Sequence, residues 1–163
     1  PVDPNYLSHR VKAKLGYAFR MVELAEEINH AAPLYVAERA WRLLNEQGKA
    51  VNGSTILLLG VTYKADISDL RETPAEAVAD RLITLGAKIS YHDPYVPAWN
   101  LHEGDISTRL ESVTDPYAAA AASDLTILLQ AHSQYDLSRL GRSAALLLDT
   151  RSVVSDTSNV STL

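Results

Sequence analysis

A loop rich in charged residues follows the first aliphatic run that could form a buried strand. In "GVTYKADISDLRE" (60–72), Lys64 and Arg71 stand among three acidic residues. A strand and the next helix are usually joined by about two to six residues, so this longer connection could hold a ligand. Lys64 could bind phosphate oxygens as a point charge, and Arg71 could bind them through two parallel hydrogen bonds. Tyr63 could place its ring against a base or a sugar.

The loop lacks the glycine pattern that usually binds a dinucleotide. That pattern is G-x-G-x-x-G at the first turn between strand and helix, whereas Gly60 is followed by the larger residues Val-Thr-Tyr. The backbone therefore cannot approach a pyrophosphate closely, and cationic side chains would have to bind it. The alternative is a solvated loop in which Lys64 and Arg71 only pair with the carboxylates beside them. The charges alone favour that alternative.

The composition indicates one ordinary globular domain. The chain has 163 residues, of which 47% are hydrophobic, and it contains no cysteine. The absence of cysteine excludes disulfides, thiolate metal sites and a thiol nucleophile within these residues. The formal net charge is −5 and no basic block is present, so nucleic acid is not an expected partner.

No segment of the sequence has the features of a membrane span or a secretion signal. No apolar run is long enough to cross a bilayer, so a membrane is not an expected partner. The first residues, "PVDPNYLSHR", lack a hydrophobic signal core, which favours a cytoplasmic protein. They also do not begin with Met, so we expect a segment of a longer protein, with a processed terminus as the alternative.

The first 48 residues have the periodicity of a long helical arm. Between residues 5 and 30, apolar residues recur at steps of three and four, as on an amphipathic helix. Pro33 lacks a backbone donor, so we expect a kink or a break near Asn29. A second helical stretch is expected over 34–46. The apolar face of this arm is wide enough for the helix to pack against neighbours on two sides.

Residues 49–154 alternate between strand and helix patterns, which predicts an α/β fold. We expect a Rossmann-like parallel sheet with helices on both faces, preceded by the helical arm 1–48. Residues 99–115 are mixed, with a short edge strand near Ile106, and the tail 155–163 is expected to fray. The expected strands are 55–59, 88–92, 125–129 and 145–149, and the expected helices are 74–85, 116–122 and 136–140.

Polar and aromatic residues follow the expected strands at the end where parallel sheets bind ligands. The two histidines at this edge suggest a metal site, but such a site needs further ligands, so hydrogen-bonded histidines are the favoured interpretation. The aspartate of "HDPYVP" could bind a ribose or could simply shape the turn. The residues at this edge are Tyr63, Lys64, His92, Asp93, His132, Asp149 and Arg151.

Several ordered motifs resemble the C-terminal domain of the UDP-glucose/GDP-mannose dehydrogenase family. "GVTYKADISDLRETPA" followed by "LGAKISYHDPYVP" is similar to the family's succession of Y-K-x-D, D-x-R-E-[ST]-P and Y-D/H-D-P-x-V-P. "PVDPNYL" resembles the end of its G-G-x-C-I-P-V-D-P motif, "ELAEEINHAAPLYVAERA" its central helix, and "LLLDTRSVV" its late D-x-R stretch. The resemblance covers residues 1 to 154. Val2, where the UDP-glucose branch carries Lys, favours the branch that oxidises UDP-N-acetylglucosamine or UDP-N-acetylmannosamine.

The resemblance implies an NAD-dependent UDP-sugar 6-dehydrogenase of polysaccharide biosynthesis. Enzymes of this family oxidise the C6 alcohol of a nucleotide sugar to the acid with two NAD⁺, through a cysteine that forms a thiohemiacetal and then a thioester. By the motif, that cysteine would lie two residues before Pro1, and the NAD domain would lie further upstream. This chain alone is therefore expected to be the C-terminal UDP-sugar-binding fragment and to be inactive.

The resemblance also implies roles for five residues. Asp3 matches an aspartate that helps to activate the hydrolytic water near the cysteine, and capping a helix is its alternative role. Tyr63 and Lys64 match residues that contact the UDP-sugar. Arg151 matches a late arginine that also reaches the substrate, with a surface charge as the alternative. Arg71 matches an arginine that the family places against NAD. Enzymes of this family use no metal, so the resemblance implies no metal site.

Three functional hypotheses are open at this point. The first is the UDP-binding half of a UDP-sugar 6-dehydrogenase, with a homodimer formed through the N-terminal helix as in the family. The second is a non-catalytic nucleotide-binding or dimerisation module. The third is a small Rossmann-type hydrolase using His92, Asp93 and His132, which lacks a nucleophile with a base at a recognisable spacing. The sequence does not specify which UDP-sugar is oxidised.

Overall fold

The structure is a computed structural model that describes residues 14, 16, 20–103, 106–155 and 158–163. Asp3 and most of the first predicted helix lie outside the described residues. Within these ranges there are four helices and seven strands. In chain order they are α1 (Arg20–Glu46), β1 (Thr55–Leu59), α2 (Pro74–Thr84), β2 (Lys88–His92), β3 (Ala98–Glu103), β4 (Ile106–Glu111), α3 (Pro116–Ala122), β5 (Leu125–Leu128), α4 (Leu137–Ser143), β6 (Leu147–Asp149) and β7 (Val160–Thr162).

A five-stranded parallel sheet forms the centre of the fold. Its strand order is β2-β1-β5-β6-β7, and every neighbouring pair is parallel. Side chains of β1 alternate between two hydrophobic clusters. Ile56 and Leu58 pack with α1 and α2 on one face, whereas Leu57 and Leu59 pack with α3 and α4 on the other. The predicted α/β architecture is therefore confirmed, since an aliphatic strand covered on both faces has no polar side.

Helix α1 continues through Pro33, so of the kink or break predicted near Asn29, the break is wrong. The helix is unbroken from Arg20 to Glu46 although Pro33 supplies no backbone donor. The proline ring is itself buried, and buried residues continue from it at helical spacing: Val36, Ala37, Ala40, Leu43 and Leu44. Packing of this face against the domain offsets the one missing hydrogen bond.

Residues 98–103 and 106–111 form two paired strands where the sequence predicts only a short edge strand. Strands β3 and β4 pair antiparallel in a separate two-stranded sheet. Trp99 of β3 is buried, and its ring meets the edge of the Tyr91 ring with centroids 5.4 Å apart. This aromatic contact attaches the strand pair to the core. Tyr91 and Trp99 lie in different strands, so no pattern within one strand predicts their contact.

The tail is partly ordered, which corrects the prediction that residues 155–163 fray. Strand β7 pairs with β6 in register. The side-chain amide of Asn159 donates to the carbonyl oxygens of Gly141 (2.9 Å) and Ala144 (2.7 Å) at the end of α4. These contacts come from a distant part of the chain, so the local sequence could not show them. Among the described residues, no helix has the length and apolar character needed to cross a membrane.

Candidate functional site

The carboxyl ends of β1 and β5 are the place where this fold would bind a ligand. The chain leaves β1 towards β2 on one side, and it later enters β5 on the other side of β1. The two connections therefore diverge here, as at the ligand sites of other open parallel sheets. The connection after β1 is the long charged loop 60–73, and the connection after β5 is 129–136.

Gly60 lets the first of these loops start in close contact with the second. It has φ +72°, and its N–H donates to the His92 carbonyl (3.0 Å). A Cβ at this position would lie 2.2 Å from the carbonyl oxygen of Gln130. Glycine is needed here for packing between two strand ends, not for an approach to a pyrophosphate.

Asp66 joins three connections at this edge of the sheet. Its carboxylate accepts hydrogen bonds from the Ser133 N–H (2.8 Å), the Ser133 hydroxyl (3.0 Å) and the Tyr95 hydroxyl (3.3 Å). Its own N–H donates to Nδ1 of His132 (2.9 Å). The hydrogen bond from the Ser133 backbone contributes most to lowering the pKa of Asp66 below its ordinary value, so the side chain is a carboxylate at neutral pH.

A buried pair of Asp93 and His132 lies under the loop. Both residues are nearly inaccessible, and Oδ2 of Asp93 is 2.9 Å from Nε2 of His132. Because Nδ1 accepts the Asp66 N–H, the neutral ring carries its proton on Nε2 and donates it to Asp93. Asp93 also accepts the N–H groups of Val61 (2.8 Å) and Tyr95 (2.9 Å). The pair therefore fixes the starts of two connections against each other.

The environment of Asp93 predicts a loss of stability in acid. Burial raises the pKa of Asp93, but hydrogen bonds from His132 and from two backbone N–H groups outweigh burial, so the pKa lies below its ordinary 3.8. The folded state thus binds this proton less tightly than the unfolded state, and the stabilisation present above that ordinary pKa is lost as pH falls through the folded pKa. We expect the free energy of unfolding in urea to decrease from about pH 5 to about pH 2.5.

The variant Asp93→Asn separates this contribution from those of exposed carboxylates. Asparagine does not titrate, so the decrease in unfolding free energy below pH 3.8 should be smaller in the variant than in the parent chain. Equal decreases would assign the acid effect elsewhere, for example to Asp69 and Asp124, whose pKa values are lowered to about 2 by their hydrogen bonds with Arg71 and Lys49.

Tyr63 and Lys64 form an exposed tip whose backbone is fixed. The Tyr63 N–H donates to the Asp69 carbonyl (2.9 Å), and its carbonyl accepts the Gln130 side-chain amide (3.3 Å). The Thr62 hydroxyl donates to the Lys64 carbonyl (2.9 Å). Nζ of Lys64 is 5.8 Å from the centre of the Tyr63 ring, and no carboxylate of the described residues forms an ion pair with it. This ammonium group is available to an anionic ligand.

Arg71, in contrast, is paired with a carboxylate of its own loop. Its Nε and Nη2 donate to the two carboxylate oxygens of Asp69 at 2.9 Å and 2.8 Å. The side chain is 88% exposed. The solvated-loop alternative thus describes Arg71 but not Lys64. An exposed ion pair of this kind contributes little to stability in water, so a ligand can compete for the guanidinium group.

Arg151 lies on a different loop, after β6. The buried carboxylate of Asp149 accepts the backbone N–H groups of Arg151 (2.8 Å), Val153 (2.7 Å) and Val154 (2.7 Å). This places Arg151, an exposed residue, at the carboxyl edge of the sheet. Since β5 separates β1 from β6, the two loops leave the sheet roughly 10 Å apart.

The predicted site residues do not all lie on one loop of the structure. Tyr63, Lys64 and Arg71 share one loop, in which Tyr63 and Arg71 are linked through Asp69. Arg151 lies at the same edge, two strands away. Asp3 lies outside the described residues.

The histidines of this edge are hydrogen-bonded, as the sequence favours. Nδ1 of His92 lies 3.1 Å from the Tyr135 hydroxyl, and both ring nitrogens of His132 have partners. His132 is buried with its ring occupied, so it cannot serve as the base of the hydrolase hypothesis. Among the described residues, no three His, Asp or Glu side chains are arranged to hold a metal ion.

Sequence reasoning missed the residues that shape the site. The sequence places Asp66 among the acidic residues that could neutralise the loop cations, whereas its carboxylate contacts Ser133 and Tyr95. The role of Gln130 behind Gly60 was missed as well. One signal is present in the sequence: Asp66 is the aspartate of the Y-K-x-D motif.

Comparison with known proteins identifies the fold and its family. A family model described as "UDP-glucose/GDP-mannose dehydrogenase family, UDP binding domain" matches residues 57–162, which is more than half of the chain. The chain belongs to this family. The matched range begins within β1 and includes the charged loop, the buried pair and the loop with Arg151.

Individual relatives agree with this assignment. The UDP-N-acetyl-D-mannosamine dehydrogenase of Methanocaldococcus jannaschii is 25% identical over 162 residues, covering 94% of this chain and 33% of the relative. The UDP-N-acetyl-D-glucosamine 6-dehydrogenase of Pseudomonas aeruginosa is 27% identical over 157 residues, covering 92% of this chain and 36% of the relative. The crystal structure of an NDP-N-acetyl-D-galactosaminuronic acid dehydrogenase from Methanosarcina mazei superposes with a TM-score of 0.74 at 25% identity, covering 94% of this chain and 33% of that chain.

These relatives support the UDP-N-acetylhexosamine branch that the sequence favours. Other relatives, of somewhat higher identity over shorter ranges, are named UDP-glucose 6-dehydrogenases. The chain spans about a third of the length of the relatives it matches most widely.

Proposed function

We propose that this chain binds the UDP part of a UDP-N-acetylhexosamine within an NAD-dependent UDP-sugar 6-dehydrogenase. The observation that carries the proposal is the Lys64 ammonium, which lies on a hydrogen-bonded loop at the switch point without a carboxylate partner among the described residues. An ammonium group without a carboxylate partner suits a diphosphate, and the hydrogen bonds of the loop backbone lower the entropy cost of ordering the loop when the ligand arrives. The family described by its UDP-binding domain supports the choice of nucleotide.

The proposed roles of the other residues follow from their positions. Tyr63 is 39% exposed beside Lys64, so its ring can lie against the uracil or the sugar. Arg151 extends the cationic edge two strands away and would contact the far side of the substrate. Asp3 is proposed to help activate the water that hydrolyses the thioester in the complete enzyme.

NAD is proposed as the cofactor of the complete enzyme, where it accepts hydride from the substrate. The described residues provide one candidate contact for it, the Arg71 guanidinium, which is exposed and paired with Asp69. They provide no glycine-rich turn at the end of β1, because the only glycine there packs on Gln130. Arg71 would thus meet the cofactor at the border of the site, after giving up its present partner.

Titration of this chain with UDP tests the proposal. We expect calorimetry to show saturable binding of UDP, weaker binding of UMP because it carries one phosphate fewer, and no binding of inorganic sulfate at the same concentration. No heat of binding for UDP up to millimolar concentration would overturn the proposal. A panel of UDP-sugars with NAD⁺, offered to the complete enzyme, would identify the sugar.

We also propose that α1 forms a homodimer. The helix has a buried face towards its own domain and a second apolar stripe that is exposed, formed by Met21, Leu24, Ile28 and Tyr35. These four residues lie at steps of three, four and seven, so they share one side of the helix. A contiguous stripe of large exposed hydrophobic side chains favours a protein partner over solvent, and a second copy of the same helix provides a self-complementary one.

The variant Ile28→Glu should weaken this dimer. Ile28 is 61% exposed in the single chain, and a carboxylate in a two-fold apolar contact would face its own copy. We expect sedimentation equilibrium to show a dimer for the parent chain and a dissociation constant raised by more than about tenfold for the variant. Leu34→Glu is the matched control, because Leu34 is exposed on the same helix about a third of a turn away. A parent chain that stays monomeric, or equal effects of both variants, would contradict the proposal.

A further inference from the structure

We infer that Asp66 is the positioning residue of the nucleotide site: its carboxylate fixes the loop that presents Tyr63 and Lys64. The inference rests on the proposed function and adds a residue to it. Asp66 does not touch the place where a ligand of Lys64 would lie, because its carboxylate is directed to Ser133 and Tyr95.

The first argument is geometric. The start of loop 60–73 is attached to β2 through the Gly60 N–H, and its end is joined to its start by the Thr73 hydroxyl, which donates to the Val61 carbonyl (2.8 Å). Two further contacts cross from the first part of the loop, from the Val61 N–H to Asp93 and from the Gln130 amide to the Tyr63 carbonyl. Beyond Lys64, Asp66 makes the contacts that cross to the loops after β2 and β5. One side chain accepts three hydrogen bonds from two other connections, and its backbone N–H supplies a fourth contact to His132. The segment that bears Lys64 lies directly between these attachments.

The second argument is the backbone conformation. Asp66 has φ +63°, in the left-handed region that non-glycine residues seldom adopt. Aspartate tolerates this region better than most residues, and its contacts offset the remaining strain. The turn directs the Asp66 carboxylate towards Ser133, away from the exposed tip.

The third argument is electrostatic. A carboxylate two residues from a lysine that binds diphosphate repels the ligand, so its net contribution by charge alone is unfavourable. Ser133 and Tyr95 donate to Asp66 and spread this charge over three hydrogen bonds. The two effects have opposite signs when Asp66 is replaced. Loss of the charge alone would strengthen UDP binding, whereas loss of positioning would weaken it.

The test uses Asp66→Gly in the 163-residue chain. Glycine adopts the left-handed conformation without strain and keeps an N–H for the bond to His132, so this variant removes the carboxylate without a steric clash, although it also adds backbone freedom at this position. We expect the dissociation constant of UDP to rise about tenfold. We also expect Lys64→Ala to have a smaller effect in the Asp66→Gly background than in the parent chain, because the two residues act together. Unchanged or tighter binding of UDP, or fully additive effects, would overturn the inference.

Asp66→Asn, together with amide exchange in the absence of ligand, tests the inference even if Asp66→Gly folds poorly or the chain does not bind UDP. Asp66→Asn retains one oxygen that can accept the Ser133 N–H, so UDP binding should recover in part. In ligand-free protein, amide exchange of Tyr63, whose N–H bonds the Asp69 carbonyl, should be faster in Asp66→Gly while core amides of β1 are unchanged. Equal exchange at Tyr63 would overturn the inference even if the parent chain proves not to bind UDP, an outcome that by itself would reject only the proposed function.

Discussion

Gly60→Ala should destabilise this protein by about 3 kcal/mol or more. Gly60 combines a left-handed backbone with the contact behind it: a Cβ would lie 2.2 Å from the Gln130 carbonyl oxygen and 2.8 Å from its Cβ. Neither side can move easily. The Gly60 N–H donates to His92, and the Gln130 N–H donates to Leu59, so both backbones belong to the hydrogen bonding of the sheet ends. The methyl group would force β1 and β5 apart at the switch point.

Gly48→Ala is the matched control for this substitution. Gly48 has φ +70°, almost the same as Gly60, but no atom lies within 4 Å of the position of its Cβ. The free energy of unfolding of Gly48→Ala should therefore fall by only about 1 kcal/mol, the cost of placing alanine in a left-handed conformation. Urea denaturation of both variants at pH 7 measures the difference. If the two variants lost equal free energy of unfolding, the close contact with Gln130 would not matter.

Lys64→Ala should weaken UDP binding by roughly 1.5–3 kcal/mol, a loss of about tenfold to a hundredfold in affinity. The lysine is the loop cation without a carboxylate partner in the described part of the chain, and Thr62 fixes its backbone. Its removal therefore costs a charge-assisted contact that no neighbouring ammonium can replace at the same place. Calorimetric titration with UDP, at low and at moderate salt, measures the loss and its electrostatic part.

Lys88→Ala is the control for the change in net charge. Lys88 is an exposed lysine at the first residue of β2, so it lies at the opposite end of the sheet from the site. A five-residue strand is about 16 Å long, which exceeds the Debye length at physiological salt. Its replacement should leave UDP affinity unchanged. If Lys64→Ala bound UDP as tightly as Lys88→Ala does, Lys64 would not be a ligand of the diphosphate.

The sequence predicts the elements of this fold well because each has a local cause. Helix α2 shows this most clearly. Thr73 accepts the N–H of Ala75 as the N-cap, Pro74 occupies the first turn, and Gly86 follows the end, as their types predict. Pro33 in α1 is one exception, because a local rule predicts a kink or a break and tertiary burial of the proline face keeps the helix continuous. The strand pairs β3–β4 and β6–β7 are others, because they depend on contacts outside the local sequence.

The sequence predicts a candidate site at the strand ends and its cations, but not the contacts that support the loop. Strand ends with polar residues follow from the order of residue types, and Lys64 stands out as a charge in a long loop. The partners of Asp66, in contrast, lie 67 and 29 residues away in sequence, at Ser133 and Tyr95. No periodicity or short motif in a single sequence indicates which of the three acidic side chains in this loop is directed away from the neighbouring cations.

By itself, the sequence of this protein determined the alternation of strands and helices, the helix caps and the chemistry of the loop after β1, because these depend on residues close together in the chain. Only the tertiary structure decided that Asp93 and His132 form a buried pair, that Asp66 attaches the loop, and that Gly60 serves the contact with Gln130. The physical reason is that the strand order places β1 beside both β2 and β5. Groups that are distant in sequence then share one edge of the sheet, where burial and hydrogen bonding assign each its role.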